Sequence, residues 1–554
     1  MLDEAHSRRY LVTFDALLLP QVFCDVLVIG SGIAGLRAAL AASDHADVLV
    51  IAKRRADENN TADAQGGIAC AMTLGDDPKS HAADTVEAGQ GLCNVEVVET
   101  ITADAPDHLR QLIEWGAEFD RENGKIAFAR EGGHSAARVA HANGDATGRE
   151  LERVLLAKVE ENPRVRLIEH SYVIDLVTVT GEGCRGALIQ NLHHGRMVIW
   201  AKRTVIATGG CGRVYRETTN PSGATGDGVA MAYRAGAALT DVEFYQFHPT
   251  ALYIAGAGRA LISEAVRGEG AHLLNVRRER FMQRYHDLGE LAPRDAVSRA
   301  IVTEIRETGH VCAYLDMRHI PEERLAMRFP AIRDLCAQYD IDIARDLVPI
   351  RPAAHYMVGG VRVDLSGRTS VEKLFACGEV ACSGFHGANR LGSNSLLEGL
   401  VLGARAGAEA GRRAASDRNA VMHPRISYQV RAPKHAEVDV ADVTNALRAV
   451  AWRSLGIERN HFGVEEALHS MRFWSRYVME KEFNDVPGWQ LQNMLTVARC
   501  LAEASIIREE SRGVHYRTDF PDREDVTWSK HIVLRSDVEP VTESVRPHAR
   551  ASDE

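Results

Sequence analysis

From residue 20 to about 240, short apolar runs of β type alternate with segments whose apolar positions recur at helical spacing. CDVLVIG (24–30) and DVLVIAK (47–53) read as strands buried on both faces, the pattern of a parallel sheet. Between them the Ala/Leu run LRAALAA reads as a helix. A β-rich interlude covers 160–205. From 242 to 355 the alternation thins and charged, helical stretches take over. Strand-like and helical runs resume at 357–412, ending in SNSLLEGLVLGARAGAEAGRRAA (393–415). After a polar, linker-like stretch that begins at 415, ALRAVAWRSLGI, GVEEALHSMRFWSRYVMEKEF and GWQLQNMLTVARCLAEASIIREESRG show the spacing of a helical bundle. The prediction is an α/β chain: a Rossmann-like nucleotide-binding domain (1–241 and 357–420), interrupted by an α+β capping domain (242–356) and followed by a C-terminal helical bundle (421–554). RRYLVTFD (8–15) is expected to add an edge strand.

At 554 residues the chain is too long for one core. Its 45% hydrophobic and 25% charged residues are those of a globular protein in water. The formal net charge of −11 argues against a nucleic-acid binder. No apolar run is long enough to span a membrane. The opening MLDEAHSRRYLVTFDALLLP has early acids and a short apolar patch, so no secretory signal and a cytoplasmic location are expected. Ten scattered cysteines form no C-x-x-C pair and no zinc spacing, which predicts reduced thiols and no metal site.

Chemistry enters with the glycines. Gly30, Gly32 and Gly35 form G-x-G-x-x-G between the first strand and the helix, the context in which backbone cradles a pyrophosphate. The residues after the second strand are Lys53-Arg54-Arg55, where an acid that binds ribose is usual. Two readings follow: these cations hold a 2′-phosphate, or the ribose acid comes from elsewhere, with Glu379 in KLFACGEVA (373–381) as candidate. TADAQGGIACA (61–71) suggests backbone wrapped round a flat ring. TVIATGG (204–210) and the Asp227 helix start in TGDGVAMAYRAGA are further strand–glycine turns.

Five other stretches place cations in apolar or glycine-rich surroundings: EFYQFHPTALY (243–253), SEAVRGEG (263–270), LAPRD (291–295), RPAAHYMVGG (351–360) and HGANRLGSNSLLEG (386–399). They carry His248, Arg267, Arg294, His355 and Arg390. Guanidinium forks suit carboxylates, so the set predicts a site for a small polyanion.

With the stretch EGGHSAARVAHANGDATG (131–148) and the late ESRGVHYRTDFP, these motifs resemble the succinate dehydrogenase/fumarate reductase flavoprotein family over about residues 24–521. Within it the chain is most similar to members that oxidise L-aspartate. The resemblance implies FAD held by Gly30, Ser31, Gly32, Ile33, Ala34, Gly35, Lys53, Asn60, Thr61, Gln65, Gly66, Gly67, Asp227, Glu379, Ser395 and Leu396. Lys53 then ceases to signal a 2′-phosphate. Many members carry a flavin-linking histidine four residues before Ala-Gln-Gly-Gly. Asn60 stands there, so FAD is expected to be non-covalent. The family pattern puts His248 and Ser263 on one carboxylate with Thr250 nearby, and His355 and Arg390 on the other. It makes Arg294 the proton donor or acceptor, with Glu264 and Arg267 as relay.

The resemblance separates aspartate from succinate by an ammonium on the reacting carbon, which needs an acid close by. Glu131 is the candidate. The implied reaction is oxidation of L-aspartate to iminoaspartate, with O2 (giving H2O2) or fumarate as acceptor. The implied setting is the first step of NAD biosynthesis, with quinolinate synthase consuming the product. A soluble fumarate reductase or succinate dehydrogenase flavoprotein is the alternative.

Overall fold

The computed structural model describes residues 8–417, 424–430, 437–536 and 538–545. Among them the largest sheet has seven strands. Six run in the order β4–β5–β6–β1–β2–β3, with β1 Gln21–Ile29, β2 Val48–Ile51, β3 Val165–Ile168, β4 Ser171–Val179, β5 Gly183–Asn191 and β6 Gly195–Ile206. β6, β1, β2 and β3 are parallel, whereas β4, β5 and β6 form an antiparallel meander. The short strand Leu374–Ala376 returns to pair in parallel with the end of β6. The chain thus re-enters the sheet after a detour of well over a hundred residues.

β1 and β2 are almost wholly apolar where they are buried, because helices cover a parallel sheet on both faces. Gly30 follows β1 with φ +118°, and a Cβ there would lie 2.1 Å from the Ala207 carbonyl oxygen. The turn delivers the chain into α1 (Ile33–Ser43), which is buried along its whole length. Against α1 lies the long helix Asn394–Ser416. Its Gly403, Gly407 and Gly411 face the α1 backbone, where added Cβ atoms would stand 2.6, 2.1 and 2.7 Å from the carbonyl oxygens of Ala34, Ala38 and Ala42. This glycine ridge at four-residue spacing lets two helices meet backbone to backbone.

The inserted region has its own core, including Leu252, Phe281, Ile301, Leu315, Phe329 and Ile350. It contains a four-stranded sheet, β7 (Tyr245–Leu252), β8 (His272–Leu274), β9 (Ala313–Asp316) and β10 (Val348–Met357), in the order β7–β10–β9–β8. β7 pairs with β10 through two register shifts, between Gln246 and Phe247 and between His248 and Ala251. Pro249 lies within the second irregularity and has no N–H to give the ladder. Bulges of this kind re-aim side chains, and here they flank His248.

Helices Val440–Ser454, His461–Val478 and Val486–Ile507 pack together near the C-terminus, the last with buried residues on nearly every face. Two strands not anticipated from the sequence, Lys530–Arg535 and Val538–Ser544, follow them and join a five-stranded sheet through Leu239–Thr240. Near the N-terminus Phe14–Asp15 pairs with Ser427–Tyr428 in a separate two-stranded sheet rather than at the edge of the main one. Half of the linker-like stretch after 415 (418–423 and 431–436) falls outside the described residues.

Candidate active site

One continuous cavity runs from the glycine turn at Gly30–Ala34 to the cations of the inserted region. Its first half is built by local devices. Thr61 Oγ1 accepts from the Ile33 N–H at 3.0 Å, tying the 59–67 loop to the start of α1. Asn59 Oδ1 accepts from the N–H groups of Thr61 and Ala62. Gly67 passes so near Ala140 that a Cβ would lie 2.4 Å from its carbonyl oxygen. Gln65 Oε1 and Thr208 Oγ1 are buried without a hydrogen-bond partner, and both residues line the cavity. Unmet polar atoms in a long cleft behind a glycine turn fit a dinucleotide with many hydrogen-bonding groups.

Lys53 Nζ donates to Asp227 Oδ2 at 2.7 Å, to Gly223 O and to Thr225 Oγ1. Burial alone would raise the Asp227 carboxyl, but Lys53 and the donors Asn493 and Thr225 outweigh it and keep it ionised. Glu379 is different. Burial pushes it up to about 7 against the opposing Met357 N–H, Arg390 and Asn60. A carboxyl poised there can accept from or donate to a hydroxyl pair. Gly35, in contrast, does not line the cavity. A Cβ on it would lie 2.0 Å from Gly30 O, so its part is the close packing of helix on turn.

In the second half, His248 and His355 meet edge to face with ring centroids 5.1 Å apart. Burial, followed by neighbouring arginines, holds both well below the ordinary histidine range, so both rings are neutral at pH 7. The Thr250 N–H donates to His248 Nδ1 at 3.3 Å, which puts the ring proton on Nε2. Thr250 itself is a correction to the sequence reading. It lies off the cavity, and its hydroxyl donates to Ile262 O at 2.8 Å while its N–H supports His248. Ser263 lines the cavity.

Arg294 donates through Nε to Glu264 Oε2 at 2.6 Å, and Arg267 approaches the other oxygen at 3.1 Å. Burial would raise Glu264; the two arginines overcome it and keep the carboxylate charged. Arg267 lies behind Glu264 and does not reach the cavity. Arg390 is buried over the face of Tyr356, 4.4 Å from the ring centroid. Burial, then the charge of Arg294, pulls its guanidinium below the usual range.

Glu131 is no solvated loop residue. It is 5% exposed and borders the cavity. Ser393 donates to its Oε2 at 2.7 Å. His141 Nε2 lies 3.3 Å from Oε1, close to the oxygen but poorly aligned for a hydrogen bond. Burial opposes ionisation, yet His141 and Ser393 prevail and hold Glu131 down to about 2.

The sequence reading missed Gln246, which joins the two arginines. Its Oε1 accepts from Arg390 (2.9 and 3.2 Å) and from Arg294 Nη1 (3.1 Å), while its Nε2 donates to Asn389 and to Arg390 O. Its only sequence signal was a fully polar residue inside an apolar strand. His134 and His141 also pack at this end of the site; His134 Nε2 contacts Gly392 O at 3.0 Å and His141 faces Glu131.

The FAD binding domain family matches residues 25–396, and the fumarate reductase flavoprotein C-terminal family matches residues 444–551. L-aspartate oxidase of Streptomyces coelicolor is 43% identical, over 93% of this chain and 92% of its own length. The chain belongs to the L-aspartate oxidase family. L-aspartate oxidase of Pseudomonas aeruginosa is 39% identical over 90% of this chain and 96% of its own. Among solved structures, the E. coli quinol fumarate reductase FrdA superposes with a TM-score of 0.89 at 30% identity, covering 97% of this chain and 99% of that one. Members of the L-aspartate oxidase family and fumarate reductases thus share the architecture. The chain is an FAD-dependent oxidoreductase. No helix among the described residues is long and apolar enough to cross a membrane.

Proposed function

We propose that this protein oxidises L-aspartate to iminoaspartate. The observation that carries the choice of substrate is Glu131, a buried carboxylate held ionised, whose Oε1 is poorly aligned with His141 and which borders the cavity together with Arg294 and Arg390. It suits an ammonium between two carboxylates. Neutral His248 and Ser263 hold one carboxylate by hydrogen bonds. His355 and Arg390 hold the other, and Gln246 fixes the angle of Arg390 to Arg294. The buried walls exclude water from the reacting carbon. FAD, when bound by the Gly30–Ala34 turn, the 60–67 loop, Lys53, Glu379, Ser395 and Leu396, supplies the acceptor for the hydride lost from the α-carbon. The substrate ammonium gives up a proton as the imine forms, and Arg294 and Glu264, backed by Arg267, give that proton a route along charged contacts. With fumarate as substrate, the same Arg294 delivers a proton. O2 or fumarate takes the electrons. The imine product hydrolyses in water, so a consuming enzyme such as quinolinate synthase, in the first step of NAD biosynthesis and in the cytoplasm, completes the reading. Asn60 leaves the cofactor without its histidine link.

The test uses purified holoprotein. Anaerobic L-aspartate should bleach the flavin within the turnover time and succinate should not, and acid precipitation should release FAD into the supernatant. Bleaching by succinate with none by aspartate would overturn the substrate assignment, and colour retained in the pellet would overturn the non-covalent one.

A further inference from the structure

The late motif ESRGVHYRTDFP lines no part of the cavity. Arg512 and His515 exchange both backbone hydrogen bonds, at 2.8 and 3.0 Å, closing a two-residue turn over Gly513 and Val514. Gly513 has φ +54°, a conformation that glycine adopts without steric cost. The tip of this turn rests on Ala388, two residues before Arg390. The Val514 N–H donates to Ala388 O at 3.1 Å, and a Cβ on Gly513 would lie 2.3 Å from that oxygen.

Ala388 is also held from its other side. Its N–H donates to Gly89 O at 3.0 Å, and a Cβ on Gly387 would lie 2.4 Å from the same Gly89 oxygen. Arg512 ties the two grips together. It is buried, donates through Nη1 to Gln90 O at 2.7 Å, and forks onto Glu510 at 2.6 and 2.9 Å. His515, at the turn's far end, lies 2.9 Å from Arg459 Nη1, which donates to Glu243 O at the approach to the His248 strand. The 386–392 segment has no strand ladder of its own. Its backbone is held by these two grips at Ala388, by Gln246 Nε2 on Arg390 O and by His134 on Gly392 O.

We propose that the Arg512–His515 turn is a positioning element for Arg390, through which the C-terminal region fixes where the guanidinium meets a carboxylate. This rests on the reading of Arg390 as a carboxylate clamp. A displacement of about 1 Å at such a group costs on the order of a hundredfold in function, so a rigid grip two residues away has a purpose that packing alone would not require.

The experiment measures succinate dissociation constants on holoprotein by flavin absorbance, for Gly513→Ala, Arg390→Lys and the double variant. Gly513→Ala should weaken succinate binding about tenfold with FAD content unchanged. The double variant should bind no more weakly than Arg390→Lys, because the turn acts through that residue. Wild-type affinity in Gly513→Ala beside weak binding in Arg390→Lys would overturn the positioning role alone, as would multiplied losses in the double variant. Wild-type affinity in Arg390→Lys would overturn the clamp reading and the proposal with it. If Gly513→Ala does not fold, Arg512→Lys keeps the charge beside Glu510, loses the Nη1 donor that reaches Gln90 O, and enters the same cycle with the same expected and overturning results.

Discussion

Replacing Glu131 with glutamine separates substrate choice from the rest of the chemistry. The amide keeps a carbonyl oxygen for the Ser393 hydroxyl, now 2.7 Å from Oε2, and nearly the same volume. What is lost is a full negative charge at a site 5% exposed to solvent. Hydrogen bonds to charged groups contribute about 1.5–3 kcal/mol, and each 1.4 kcal/mol is about a factor of ten. Glu131→Gln should therefore lower kcat/KM for L-aspartate by roughly ten- to a hundredfold. Fumarate has no ammonium, so its reduction by a reduced dye should change by less than about threefold. The assay pairs peroxide production from aspartate with anaerobic fumarate reduction on one preparation. Equal losses in both would make Glu131 a support of the Ser393 segment and remove the basis for choosing aspartate.

Stability should fall on acidification. His248, His355 and His515 are held well below 6.5, and His81 is lowered to about 4, in each case chiefly by burial. Below pH 6.5 the unfolded chain binds protons that the folded chain refuses, at about 1.4 kcal/mol per histidine per pH unit. Thermal denaturation should show a markedly lower Tm at pH 5.5 than at pH 7.5, and a constant Tm would refute the buried neutral rings. Gly407→Ala tests the helix ridge: alanine gains about 1 kcal/mol of helix propensity, but its Cβ would stand 2.1 Å from Ala38 O. Overpacking costs about 1–3 kcal/mol or more, so Tm should drop; a rise would show that the helices part without cost.

The nucleotide turn was legible because its signal is local. Gly30, Gly32 and Gly35 lie within six residues, and the strand before and helix after them carry their own periodicity. The glycines of Asn394–Ser416 repeat every fourth residue, yet only the packed structure shows that α1 is what they admit. The C-terminal strands were hidden because HIVLR is short and its partners are Leu239–Thr240 and Val538–Ser544.

By itself the sequence determined which residue types could form a site, cations in apolar contexts for a polyanion and glycines for a pyrophosphate, while the two carboxylates and the acid for an amine came from the family resemblance. Only the tertiary structure decided which of them face one cavity. It withdrew Thr250, Arg267 and Gly35 from the lining, put Gln246 between Arg294 and Arg390, and joined Ser393 to Glu131 across 262 positions. The reason is physical. Periodicity reports how a residue sits on its own helix or strand, whereas the ionisation of Glu131 and the aim of Arg390 depend on groups that only chain closure brings near.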